Sequence, residues 1–151
     1  MPGALTTRHV LIAVGLCLAT LSSAWAQKIV SVKGSVVNTR AGPGTHTEVL
    51  WELQRGYPLQ VLKRRGSWVQ VRDFENDRGW VARSLIGGAP HRVVKSRVAN
   101  IRKGPGTKHA LVGQALYGEL LRTRAKRGGW VRIERGDGQT GWIAKRLLWG
   151  W

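Results

Sequence analysis

NTRAGPGT, running from Asn38 to Thr45, returns sixty-two residues later as NIRKGPGT, from Asn100 to Thr107. Sliding the chain against itself by that offset gives a gapless match from Val32 through the second copy. Arg40 meets Arg102, Gly42-Pro43-Gly44 meets Gly104-Pro105-Gly106, Gly56 meets Gly118 and Leu59 meets Leu121. Further on, Arg65-Gly66 meets Arg127-Gly128, Trp68-Val69 meets Trp130-Val131, and Gly79-Trp80 meets Gly141-Trp142. A period of this length marks two homologous units of about sixty residues. The glycines and proline of Gly87-Gly88-Ala89-Pro90 suit a short linker between them. The expected organisation is a leader over residues 1–26, a first unit over 27–87, a linker at 88–90 and a second unit over 91–151.

Within each unit the apolar residues alternate, as in half-buried strands. YPLQVLKRRGSWVQVRD sets Leu59 and Val61 on one face, then Val69 and Val71 on one face, with Arg65-Gly66 as the turn of a hairpin. ELLRTRAKRGGWVRIERGDGQTGWIAKRLL repeats that pattern, and Gly136-Asp137-Gly138 marks a further turn. No long segment carries a helical period. Short strands separated by frequent turn signals predict an all-β fold, a small barrel or sandwich in each unit. The repeated phrase reads as a turn: Pro43 presets φ and Gly44 accepts a positive φ, so Gly42-Pro43-Gly44 is expected in a type II turn, as is Gly104-Pro105-Gly106. Asn38 and Thr45, with Asn100 in the second copy, are expected to brace that loop through backbone hydrogen bonds. Arg40 and Arg102 are read as structural, packing on a ring or tying the loop to a carbonyl rather than facing a ligand.

Arg8 and His9 precede the apolar run Val10–Leu21, and Ala24-Trp25-Ala26 offers the small residues of a cleavage site. This is the pattern of a secretory signal peptide, shorter than a membrane span. The expectation is therefore export to a periplasmic or extracellular location, with no membrane segment left after cleavage. Cys17 is the only cysteine and lies within the leader, so a mature chain would have neither disulfides nor thiolate chemistry.

The order NxRxGPGT, then GxWVxV, then GW followed by an apolar residue, occurs twice and resembles the bacterial SH3 (SH3b) domain. The resemblance implies two tandem SH3-like β-barrels in an envelope protein, a module that often serves as a cell-wall or protein-binding unit beside a catalytic domain. No catalytic partner domain is visible in this sequence.

The chemistry-bearing residues point to binding. His46, His91 and His109 are not paired by the repeat and read as solvated loop residues. Asp73, Glu75 and Asp77 read as a solvated hairpin turn. No catalytic residue, metal site or cofactor is expected, and no nucleophile elbow or phosphate-binding loop occurs. Charge is the informative feature. The sequence carries a net charge of +17, with ten basic and five acidic residues over 27–86 but fourteen basic and three acidic over 87–151. Strict alternation would gather Arg122, Arg124 and Lys126 on one face, with Trp130 and Arg132 beside them on the returning strand. Trp68, Trp80, Trp130 and Trp142, recurring in register, either cap the barrels or line a groove. The expected ligand is peptidoglycan or another anionic envelope polymer, held by arginine forks and tryptophan faces. An adaptor role towards an envelope protein, through the barrel groove or a strand edge, is the second reading. Anionic lipid or lipopolysaccharide headgroups also suit a basic face, whereas export argues against nucleic acid.

Overall fold

The computed structural model describes residues 28–151, so the expected leader over 1–26, with Cys17, and Gln27 lie outside the described residues. The first unit contains β1 (Ile29–Val32), β2 (Val36–Arg40), β3 (Val49–Gln54), β4 (Pro58–Arg65), β5 (Trp68–Arg72), β6 (Arg78–Ala82) and β7 (Ile86–Gly87). The second contains β8 (His91–Val94), β9 (Val98–Arg102), β10 (Leu111–Leu116), β11 (Leu120–Arg127), β12 (Trp130–Glu134), β13 (Thr140–Ala144) and β14 (Leu148–Gly150). Each unit forms one seven-stranded sheet, ordered β3-β2-β6-β5-β4-β1-β7 and β10-β9-β13-β12-β11-β8-β14. The two orders are the same shifted by seven strands, so the sequence repeat is a structural repeat. The only helical elements among the described residues are three-residue 3-10 turns at Arg83–Leu85 and Lys145–Leu147, and none could cross a membrane.

All seven strands of the first unit send side chains into one cluster: Val30, Val32, Val37, Leu53, Leu59, Val69, Val71, Val81 and Ile86. A sheet can do this only by curling round its own inner face, as a small barrel does. The second cluster contains Val94, Ala99, Ile101, Ala115, Leu121, Val131, Ile133, Ile143 and Leu148. Its volumes are redistributed. The facing pair Val37 and Leu53 becomes Ala99 and Ala115, while Val71 and Val81 become Ile133 and Ile143. Losses on one wall are thus offset on the other, as close packing requires.

The repeated Gly-Trp pair has a packing cause. A methyl group at Gly141 would overlap Ile101 Cγ2 and lie 3.1 Å from the Arg102 carbonyl oxygen. At Gly79 it would overlap Thr39 Cγ2 and lie 3.2 Å from the Arg40 carbonyl. Only glycine lets β6 and β13 approach β2 and β9 this closely.

The repeated GPG phrase turns the chain, but not as a type II turn. Neither Gly44 nor Gly106 has the positive φ that such a turn demands. Instead the Gly44 N–H donates to the Gly42 carbonyl at 3.0 Å, and the Gly106 N–H to the Gly104 carbonyl at 3.0 Å. That closes an inverse γ-turn centred on proline, whose fixed φ suits it equally well. The exposed His46 ring lies against Gly44, so a methyl there would displace it. The bracing residue is Thr47 rather than Asn38 or Thr45. Its hydroxyl reaches the Gly42 and Gly44 carbonyls at 3.0 and 2.7 Å. The structural reading of the arginines holds: an Arg40 Nη1 donates to the Thr45 and Thr47 carbonyls at 2.9 and 2.7 Å, and Arg102 repeats this with Thr107 and His109.

The acidic turn is also revised. Glu75 and Asp77 are exposed, but Asp73 is 5% exposed, and its Oδ1 accepts the N–H groups of Glu75 and Asp77, both at 2.9 Å. The second copy closes the same turn differently, with Arg135 donating to Glu119 and Gln139 side chains. Burial, opposed by those two backbone hydrogen bonds, holds the Asp73 carboxyl above its ordinary range. The folded state therefore keeps a proton that the unfolded chain has released, and this stability is lost as pH rises through the carboxylate range. Asp73→Asn keeps an acceptor oxygen and removes the titration. Urea midpoints at about pH 3 and about pH 7 should show the variant gaining on the unmodified protein at the higher pH.

Candidate functional site

The predicted basic face on β11 is divided by a β-bulge. Arg122 faces Glu134 and Thr123 faces Ile133, but the register then slips, so Ala125 faces Arg132, Lys126 faces Val131 and Arg127 faces Trp130. One extra residue shifts the alternation by one, so Lys126 no longer shares a face with Arg122. Arg127, not Lys126, stands opposite Trp130. Arg124 is spent on an ion pair, with Nε 2.6 Å from Glu134 Oε2. Arg122 and Arg132 remain exposed.

Trp68 lies opposite the buried Val69 and Val71, as alternation requires, and is half-buried. Trp80 is 8% exposed, and the Lys63 ammonium lies 5.6 Å from its ring centroid. That ring is closed to a ligand. In the second copy Ala125 replaces Lys63, and Trp142 is half-buried between Arg102 on β9 and Arg132 on β12.

A concave feature lies elsewhere on the second barrel. A groove of about 730 Å³ runs between β8, β14, the Lys145–Leu147 turn and the Gly129-Trp130 corner. Its size falls within the range of small-ligand sites. Five cations line it, Arg92, Lys95, Arg102, Lys145 and Arg146, with Trp130 and Trp149 as aromatic walls and no carboxylate. Backbone bonds fix the rim. The Lys145 N–H donates to the Gly129 carbonyl at 2.8 Å, and the Lys95 N–H to the Leu147 carbonyl at 3.0 Å. Lys95, Lys145 and Arg146 are exposed, so their charges reach solvent around the groove. Of this lining, sequence reasoning named Trp130 as a binding residue and read Arg102 as structural; it missed the other cations, because they come from strands and a turn far apart in the chain.

The groove meets the first barrel at Ile29. The barrels also touch elsewhere. Tyr117 from the β10–β11 turn packs 5.5 Å from the Phe74 ring centroid and hydrogen-bonds Glu75. Trp151 lines a cavity of about 450 Å³ on the first barrel with Val30, Val61, Val69 and Ile86, and its indole N–H donates to Ser31 Oγ at 3.2 Å. His91, expected in a solvated loop, is half-buried at the start of β8, and its ring leaves no room for a side chain at Gly56.

Two segments, residues 33–88 and 95–150, match the family model described as Bacterial SH3 domain. Over 123 residues the chain is 28% identical to "Putative N-acetylmuramoyl-L-alanine amidase YrvJ" of Bacillus subtilis (strain 168), covering 74% of this chain and 24% of that protein. It thus spans about a quarter of the length of that curated relative. Among solved structures, it is similar to NlpC2 from Trichomonas vaginalis, with 16% identity, a TM-score of 0.37 and coverage of 82% of this chain and 48% of that one. An NlpC/P60 family protein from Bacillus cereus ATCC 10987 gives 14% identity, a TM-score of 0.39 and coverage of 82% and 56%.

Proposed function

The chain belongs to the bacterial SH3 domain family, with two copies of the domain in tandem, and from that premise we propose that it is an exported, non-catalytic protein that binds peptidoglycan through the second barrel. One observation carries this reading: the second-barrel groove collects five cations and two tryptophans without a carboxylate. Unpaired cations with low-dielectric walls concentrate an anionic partner, and tryptophan faces suit sugar and peptide surfaces. Peptidoglycan offers both kinds of group, stem-peptide carboxylates and sugar rings. The amidase relative, whose name refers to N-acetylmuramoyl-L-alanine, supports the same polymer. The non-catalytic part of the reading is supported by how three of the described carboxylates are used. Asp73 closes a turn, while Glu119 and Glu134 are paired with Arg135 and Arg124.

The test is retention on purified peptidoglycan at rising salt. The unmodified protein should be retained at low salt and released as salt screens the groove cations. A Lys145→Ala, Arg146→Ala double variant should bind about tenfold more weakly, roughly 1.4 kcal/mol. An Arg122→Ala, Arg124→Ala double variant, off the groove, should bind nearly as well as the parent. Absence of retention at low salt overturns the wall reading and leaves an adaptor role ahead. Greater loss in the Arg122/Arg124 variant would move the site back to the outer face.

A further inference from the structure

Arg92 breaks the repeat at a place where the fold gives no reason to. Val30 faces Leu59 in the first barrel, and Arg92 faces Leu121 in the second, so the two occupy equivalent positions. Val30 belongs to the first hydrophobic core. Arg92 is 4% exposed and its Nε has no hydrogen-bond partner. Burial alone holds its guanidinium below the ordinary arginine range, with no neighbouring charge to offset it. An arginine buried without a partner destabilises a fold that a valine would stabilise. A local rule broken in this way, on the lining of a groove, is the expected mark of a binding position.

The neighbouring strand approaches the backbone at Arg92 closely. Gly150, with φ of +131°, pairs with Arg92 across β14 and β8. A methyl group there would overlap the His91 carbonyl oxygen and lie 2.8 Å from Arg92 Cα. Only glycine lets β14 approach β8 this closely beside Arg92. Beyond it the groove wall is apolar, with Leu147, Leu148, Trp130 and Trp149, and its rim carries Lys95 and Arg146.

We propose that Arg92 anchors a carboxylate-binding site in this groove, which takes the free C-terminal carboxylate of a short peptide with small apolar side chains. A guanidinium presents two parallel N–H donors that match the two oxygens of a planar carboxylate. A single negative charge also loses less hydration here than a doubly charged phosphate would. The apolar wall receives the adjoining side chain. The site exists once per chain, because Val30 stands at the equivalent position and Trp151 occupies the adjoining cavity of the first barrel. The inference deepens the envelope reading and rests on it only for the natural source of the carboxylate.

Calorimetric titration of the whole protein tests it with three probes: N-acetyl-alanyl-alanine as the free acid, the same dipeptide as its C-terminal amide, and inorganic phosphate. The acid should bind one to one, with the amide and phosphate at least about tenfold weaker. Arg92→Val, which restores the residue of the first barrel, should lose the acid while melting at a higher temperature. Arg92→Lys keeps the charge but not the fork, and should weaken the acid by about tenfold. Failure of the acid to bind, equal binding of acid and amide, phosphate matching the acid, or acid binding unchanged in both variants would each overturn the proposal. Peptidoglycan retention measured beside these titrations is a separate readout. Loss of wall binding with intact acid discrimination would sink the envelope reading alone, and wall binding without acid discrimination would sink this site alone.

Discussion

Replacing Gly141 by alanine will destabilise the second barrel by about 3 kcal/mol, near the top of the range for overpacking a core. The new methyl group would overlap Ile101 Cγ2 and lie 3.1 Å from the Arg102 carbonyl. Neither neighbour can give way easily. Ile101 is fully buried in the core, and the Arg102 carbonyl belongs to the backbone of β9, where Arg102 faces Trp142 on β13. Gly79→Ala should cost a similar amount in the first barrel, where Thr39 is likewise fully buried. Gly128→Ala is the control. Its Cβ would meet nothing, so the only cost is a left-handed φ of +55°, about 1 kcal/mol. Urea unfolding of the three variants distinguishes close approach from backbone conformation. Equal losses at Gly141 and Gly128 would show that packing against Ile101 is not what selects glycine in the Gly-Trp pair.

That cause is legible in the sequence only as a recurrence. The 62-residue offset revealed two copies, and the alternation around Val69, Val71, Val131 and Ile133 gave the hairpins, because a strand face and its burial follow directly from period two. Proline in the GPG phrase marked a turn correctly. It could not choose the type, since the same φ serves a type II turn and an inverse γ-turn, and both copies take the latter although His109 stands where Thr47 braces the first. The basic face failed for a similar reason. A bulge at Thr123/Ala125 adds one residue to the ladder and leaves no mark in composition, although the first copy carries the same slip between Val61 and Lys63. The groove depended on Arg92, and here a signal was present. The gapless match begins at Val32, so Val30 against Arg92 lay two residues beyond the region being compared. An arginine opposite a valine in a strand of otherwise apolar character is a readable exception.

Trp151→Ala is expected to remove about 2 kcal/mol from the first barrel and to split unfolding into two transitions. The indole lines the first barrel's cavity beside Val30, Val61, Val69 and Ile86 while its backbone belongs to the second barrel, its N–H donating to the His91 carbonyl at 3.1 Å and its carbonyl accepting from Thr123 Oγ1 at 2.7 Å. A half-buried tryptophan contributes less than the roughly 3 to 5 kcal/mol of a fully buried one, which sets the scale of the loss. The substitution also strands Ser31, 1% exposed, whose hydroxyl accepts the indole N–H. Backbone bonds to His91 and Thr123 survive in the variant, so the second barrel should keep its own midpoint. Tyr117, packed on Phe74 and bonded to Glu75, and His91, packed on Gly56, would still join the barrels, but less firmly than with the Trp151 contact in place. Fluorescence and far-ultraviolet circular dichroism should then give non-coincident urea curves, the first-barrel transition coming earlier. Coincident curves with an unchanged midpoint would mean that Trp151 rests on the first barrel without stabilising it. Lys28, Arg64 and Arg83 line that cavity, but Val30 stands where Arg92 stands in the second barrel, so opening it should not create a second site of the same kind, and acid binding should remain at one per chain in the variant.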